Sequence, residues 1–428
     1  MTLQKAVDHL YQIAVVEGKA TVSTYWGQLF QPRDRCSPAR PRPFAAPLLL
    51  MRMEDENMTL TRRGIEQRLV LTTALVLLAI AGGIPVQTGA AQSITAVSWG
   101  GSFGRAVHEG VNIPFMEATG IRVRVEDYNG GLAQIRAQVE VGNIHWDVVD
   151  LEIADAARGC DEGLLEPIDL RTLLPAPDGT PAEEDFIEEG RTECAVGQVF
   201  ASTVYAYNAD NMQGARPTTM ADFFDLETFP GRRGMRRVPQ ANLEFALIAD
   251  GVPLGRIYAT LDTPEGLDRA FRKLDLIKDQ VIWWEAGAQP PQMLADGQVA
   301  MSTAYNGRIF NAQVLENQPF VIVWDGQLLD MGVVGIVAGT PRMEEAKRYL
   351  AFATSADSQA RIARRISYSP ARRSGARLVT THVTAGVEMA PHMPASPDNA
   401  RRALRYDWEW WADRQDELNE RFSAWLVR

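Results

Sequence analysis

Beyond residue 93 the apolar positions fall into two kinds of run. Short β-branched or aromatic stretches occupy residues 94–99 (ITAVSW), 121–126 (IRVRVE) and 146–151 (WDVVDL). Helical spacing follows each, over residues 103–118, 131–141 and 154–162. Strands separated by helices of about ten to fifteen residues predict βαβ units on a parallel sheet. A second set continues the alternation. Its strands are expected at 203–207, 235–238, 281–285, 299–305, 320–324 and 332–337, with helices at 263–278 and 341–354. Thr263 and Pro264 mark the start of the first of these helices. A threonine oxygen can cap the free backbone N–H groups, and proline's fixed φ suits the first helical position. Near the C-terminus Trp408, Trp411, Leu418, Phe422 and Trp425 share one helical stripe, and Asp413, Asp416, Glu417 and Glu420 lie mostly off it. That pattern predicts an amphipathic helix docked on its own domain.

One apolar run does not fit this scheme. Residues 69–85 (LVLTTALVLLAIAGGIP) follow Arg62, Arg63 and Arg68 and precede Gly89-Ala90-Ala91. A basic segment, an apolar segment and a small-residue cleavage site make a secretory signal, expected over 58–91 with the mature chain starting at Gln92. Residues 1–57 are then a mis-assigned start or a disordered leader ahead of Met58. Arg62-Arg63 admits the twin-arginine route as well as the general secretory one.

The composition of the whole chain, 428 residues with 46% hydrophobic and 23% charged, is globular and leaves room for two domains. Residues 92–428 hold 33 Lys and Arg against 47 Asp and Glu, a net charge of −14. Such a surface argues against nucleic acid and anionic lipid as partners. Cys160 and Cys194 are the only cysteines of that segment. In an oxidising compartment the pair is expected to be a disulfide. No metal-ligand spacing occurs, and no cofactor is expected.

Enzyme motifs are sparse. There is no H-E-x-x-H and no P-loop. Gly100-Gly101-Ser102-Phe103-Gly104 has the letters of G-x-S-x-G, but it follows the first strand, so no earlier loop can complete an oxyanion hole. A binding protein is expected instead. The turn at Gly101 and Ser102 could hold an anion on its free N–H groups, or be only a tight connection that needs small residues. Aromatic residues recur where strands end: Trp99, Tyr128, Trp284 beside Glu285, and Tyr305. Ligands of open α/β sheets bind beyond the carboxyl ends of the strands, in clefts walled by aromatic side chains.

The order of several loose motifs is more specific than any one of them. They are Val97-Ser98-Trp99, Trp146-Asp147-Val148-Val149-Asp150-Leu151, Gly163-Leu164-Leu165-Glu166-Pro167, Tyr205-Ala206-Tyr207-Asn208, Leu294-Ala295-Asp296-Gly297 and Tyr305-Asn306-Gly307. In this order the chain resembles the extracellular solute-binding proteins of ABC importers, in the branch that contains spermidine- and putrescine-binding proteins. The resemblance runs over nearly all of residues 94–428. It implies an α/β, two-lobed periplasmic-binding-protein fold of type 2, with two crossover strands as hinge near 201–205 and 320–324. Lobe one would be 92–202 plus about 324–428, with the tail partly on lobe two, and lobe two 203–323. It also implies a periplasmic monomer that clamps a small organic solute and delivers it to the permease and ATPase subunits of the importer.

The resemblance carries over unevenly to the site. Trp99 and Tyr305 keep the family's aromatics, and Glu152 could serve as an acidic ligand. Gln240 and Leu243 stand where the family places acids, Arg308 stands where an aspartate is common, and Asp330 supplies an acid only by a shift of register. Two ligand readings follow. The resemblance, with Glu152, Glu285, Asp330 and the aromatics, implies a polyamine. Arg308, Gln240 and the turn at Gly101 and Ser102 favour a neutral or carboxylate-bearing solute, because a guanidinium in place of a carboxylate reverses the charge preference.

Overall fold

The computed structural model describes residues 92–428; the expected leader and signal peptide lie outside the described residues. β1 (Ser93–Ser98) pairs in parallel with β2 (Arg122–Asp127) and with β3 (Val148–Glu152). β3 then pairs antiparallel with β8 (Phe320–Ile336), which pairs antiparallel with β4 (Ala195–Asn208). β4 pairs antiparallel with β7 (Met301–Tyr305). β5 (Arg233–Arg236) lies parallel to both β7 and β6 (Val281–Trp284). The sheet order is β2-β1-β3-β8-β4-β7-β5-β6, with two short strands, β9 (Ser369–Pro370) on β4 and β10 (Leu404–Arg405) on β8.

The two ends of this sheet cover separate cores. Ile94, Val107, Phe115, Leu151, Ile336 and Tyr349 belong to the first. Tyr205, Phe245, Leu274 and Phe271 belong to the second. Among the described residues only β4 and β8, 14 and 17 residues long, run through both lobes.

Two of the expected strands, 320–324 and 332–337, are one continuous strand. Asp325-Gly326-Gln327 interrupts the apolar alternation, so the sequence reads as two runs. The chain nevertheless stays in the sheet because its polar groups find partners. Gln327 is fully buried, accepts from Ser202 Oγ (2.6 Å) and donates to the carbonyls of Asn399 (2.6 Å) and Pro394 (3.2 Å). The register between β4 and β8 shifts across this segment, between Thr203 and Tyr205 on β4.

Helix starts follow local chemistry. Thr263 Oγ1 accepts from Gly266 N (3.1 Å) and Pro264 opens the helix Pro264–Asp275. The helix expected at 103–118 begins earlier, at Gly101, and widens into a π turn at His108–Asn112 before ending at Thr119. Pro114 has no N–H for the Gly110 carbonyl, which accepts from Arg361 Nε instead (2.6 Å). The C-terminal helix, Trp408–Leu426, lays Trp411, Leu418, Phe422 and Trp425 on the second core. Trp408 is only half-buried, and Trp410 and Gln415 join the buried face. A disulfide joins Cys160, in the helix Ile153–Asp161, to Cys194 at the entry to β4.

Candidate functional site

A cleft opens at the carboxyl ends of the strands, where the two lobes meet. Trp99 follows β1, Glu152 ends β3, Arg236 ends β5, Trp284 ends β6 and Tyr305 ends β7. The cleft holds two neighbouring chambers. The larger has a free volume of about 70 Å³, and its walls include Trp99, Phe103, Asp150, Arg308 and Tyr368. The smaller, of about 30 Å³, is walled by Arg236, Gln240, Trp284 and Tyr406 among others. Glu152, Thr203, Tyr305 and Asp330 line both.

Arg308 is the dominant charge of the larger chamber. It sits one turn into the helix Asn306–Leu315, whose start is pinned by Asn306. That side chain accepts from Ser202 N (3.1 Å) and donates to the Ser367 carbonyl (2.7 Å). The Arg308 guanidinium crosses to the other lobe and donates to the carbonyls of Trp99 (3.0 Å) and Gly100 (3.1 Å). Glycines make room for it. A Cβ at Gly101 would come within 2.5 Å of Nη1, and one at Gly287 within 2.7 Å of Nε. Arg308 is only 4% exposed, its Nε has no partner, and among the described residues no carboxylate lies in ion-pair range.

The other charges are compensated or suppressed. Arg236 reaches across the cleft to Glu152 (2.5 Å) and stacks over Tyr305, 5.9 Å from the ring centre. Burial pushes the Asp150 carboxyl up to about 7. Burial, reinforced by the charge of Glu152, holds Asp330 well above the usual carboxylate range. Burial thus opposes the ionised form of Asp330, Glu152 is paired with Arg236, and the guanidinium of Arg308 is left without a carboxylate partner among the described residues.

Several expected site residues fall elsewhere. Tyr128 lies beneath the wall rather than on it. Its ring stacks on Trp99 (5.0 Å between centres), and its hydroxyl donates to the Asp150 carbonyl. Glu285 is exposed and pairs with Arg237 (3.1 Å), because it is one residue past the end of β6 and points away from the cleft wall. Gly101 and Ser102 are not wall residues; the Gly100 carbonyl takes Arg308 there. Trp99, Glu152, Gln240, Trp284, Tyr305, Arg308 and Asp330 do line the cleft. Sequence reasoning missed Arg236, Asp150 and Tyr368. Arg236 lies inside the strand expected at 235–238 and ends the observed one, so the misplaced strand end hid it. Tyr368 comes from a segment with no strand signal and is carried in by packing on Gly307.

A family model of bacterial extracellular solute-binding proteins matches residues 113–395. The chain belongs to this family. A γ-aminobutyric acid-binding protein of Pseudomonas aeruginosa is 41% identical over 337 residues, 79% of this chain and 92% of that protein. Among solved structures, a binding protein of Agrobacterium tumefaciens B6 in complex with glucopine aligns with a TM-score of 0.71 and 27% identity, over 78% of this chain and all of that one. A GABA receptor aligns with a TM-score of 0.67 and 30% identity, over 78% and 98%. A spermidine/putrescine-binding protein of Streptococcus pneumoniae, at 15% identity and a TM-score of 0.57, shares the fold. As a member of the extracellular solute-binding proteins, the chain is a substrate-binding component of an ABC importer, not an enzyme, and works with a permease and an ATPase.

Proposed function

We propose that this solute-binding protein captures a short amino acid of the γ-aminobutyrate type, with the solute carboxylate on Arg308. The observation that carries the reading is the buried, uncompensated guanidinium. Such a charge is costly to bury alone, and a carboxylate repays that cost through paired, charge-assisted hydrogen bonds. The ammonium end lies toward Glu152 and Asp330, and Trp99, Phe103 and Tyr305 pack the methylenes between. A chamber of about 70 Å³ has room for about five waters, the bulk of a short amino acid. The GABA-binding relative and the GABA receptor support the same class.

Of the two ligand readings, the carboxylate-bearing one has the better support and the polyamine one loses ground. A diamine would set an ammonium group against Arg308 or Arg236 with too few ionised carboxylates to offset it, and the polyamine-binding neighbour supports the fold alone. We further propose that the hinge lies near 201–205 and 320–324, that lobe one is 92–202 plus about 324–428, and lobe two 203–323. The chain is then exported to the periplasm behind residues 58–91 and acts as a monomer that closes around its solute.

Calorimetric titration with GABA, putrescine and spermidine tests the reading. GABA is expected to bind at micromolar concentration and the polyamines not at all. Arg308→Asp is expected to weaken GABA binding by more than about a hundredfold, as loss of a buried charged partner does. Micromolar binding of a polyamine together with no binding of GABA would overturn the proposal.

A further inference from the structure

The pairing of β4 with β8 slips by one residue beside the larger chamber. Gly197 pairs with Val333 and Val199 with Gly332, so Gln198 is the extra residue of a bulge. A bulge re-aims a side chain that strict alternation would turn away. Gly197 faces the opposite side, where a Cβ would come within 2.7 Å of Gly190 Cα and 2.8 Å of Ala371 Cβ. Gln198 and Val199 then both line the larger chamber. Gln198 is 2% exposed, and among the described residues its carboxamide has no hydrogen-bond partner. Neither atom of that carboxamide is sealed off, in contrast to the partnerless Arg308 Nε, so the amide opens onto the chamber.

The sheet assigns its side of the chamber. In the order β1-β3-β8-β4, Gln198 is one strand from Asp330, two from Glu152 and three from the end of β1, where Arg308 holds the Trp99 carbonyl. At about 4.8 Å per strand, it stands nearer the acids than the carboxylate anchor. The register agrees. Glu152 is opposite Gly332, Gly332 is opposite Val199, and Asp330 is opposite Ala201. The two acids leave a bond open. Glu152 Oε1 accepts from Arg236 (2.5 Å), and Asp330 Oδ1 accepts from Met331 N (2.7 Å). One oxygen of each is left for the solute, whereas a primary ammonium has three N–H donors. Thr203 and Tyr305 also line the chamber, but both are only half-buried. Gln198 is closed in, so an entering solute displaces its water and must bond the amide or leave it unpaired.

We infer that Gln198 is a specificity-determining residue whose Oε1 accepts the third N–H of the solute ammonium. The protein then selects a primary ammonium over an N-methylated one. This rests on the reading that sets the carboxylate on Arg308 and the ammonium toward Glu152 and Asp330.

The test is calorimetric titration of the protein with GABA and with 4-(methylamino)butanoate. Wild type is expected to bind GABA about tenfold more tightly, because the methyl group removes one donor. Gln198→Leu keeps the bulk and removes the acceptor. It is expected to weaken GABA about tenfold and the methylated solute by less than about threefold, which erases the preference. Gln198→Glu keeps an oxygen and loses the N–H, and is expected to hold GABA within about threefold of wild type or more tightly. It carries the test by itself if Gln198→Leu does not fold by circular dichroism. The inference is overturned if Gln198→Leu leaves GABA within about threefold of wild type, or weakens both solutes equally. It is also overturned if Gln198→Glu weakens GABA by about tenfold or more, since the amide N–H would then serve the carboxylate. Wild-type protein that binds no GABA sinks the Arg308 reading itself, and this one with it. GABA binding that ignores Gln198 removes this inference alone.

Discussion

Arg308 and Asp330 set the charge of the cleft, and both do so through burial. Arg308 is sealed in without a carboxylate partner among the described residues, and burial and the charge of Glu152 oppose the ionisation of Asp330. An ammonium group arriving beside Asp330 reverses that balance and favours the carboxylate. The free protein then holds the proton more tightly than the complex, so raising the pH favours the complex. GABA binding is expected to release a proton and to strengthen as the pH rises through the range in which Asp330 of the free protein titrates. Calorimetry in phosphate and in Tris, whose ionisation heats differ, reads the release as a difference in apparent enthalpy. Asp330→Asn should remove at least half of it. A ligand without an ammonium group should release none.

The C-terminal helix shows how one element couples packing to titration. Trp411 Nε1 donates to Glu244 Oε1 (2.6 Å), and the Tyr258 hydroxyl donates to the same oxygen (3.2 Å). Burial pushes Glu244 up to about 7 in spite of both bonds. The folded state therefore holds a proton that the unfolded chain loses near its ordinary 4.5. The corresponding stability is fully present below pH 4.5 and is lost as the pH rises to about 7. Glu244→Gln keeps an oxygen for Trp411 and cannot ionise. Denaturant unfolding should find it no more stable than wild type at pH 4.5, and more stable at pH 8 by roughly 3 kcal/mol. The stripe of Trp411, Leu418, Phe422 and Trp425 was legible in the sequence, because a helical period needs only local spacing. Its contact with Glu244 was not, because a carboxylate 167 residues away meets Trp411 only through the fold.

At the scale of the whole molecule, two arginines of one lobe hold the other. Arg308 bonds the Trp99 and Gly100 carbonyls, and Arg236 pairs with Glu152 and donates to the Asn129 carbonyl (3.4 Å). The C-terminal helix adds a third link, from Gln415 to Asp155 (2.8 Å), at the first lobe's helix Ile153–Asp161. Polar contacts thus join the lobes at the cleft, beside the packing of Tyr305 on the first core and of Ala154 on the second. The polar contacts have alternatives in water, so each alone holds the lobes together only weakly. Arg236→Ala should keep the fold but shift the liganded protein toward the open form. In small-angle scattering, saturating GABA is expected to reduce the radius of gyration of the wild-type protein by more than that of the variant; an equal reduction would remove Arg236 from the closing contacts.

The sequence by itself determined what is local or cumulative. Strand and helix alternation, the caps at Thr263 and Pro264, the amphipathic tail and the acidic surface each depend on neighbouring residues or on sums. Those signals survive without knowledge of the fold, and with the order of motifs they led to the two-lobed family. The tertiary structure decided what depends on meetings across the chain. It joined two apparent strands into β8 by burying Gln327, turned Glu285 outward, set Tyr128 beneath Trp99, and brought Arg236 to Glu152. Above all it decided the charge of the cleft. Whether Arg308 is a solvated surface residue or a buried cation depends on carbonyls 208 and 209 positions away, and no spacing within the helix that carries it reports on them.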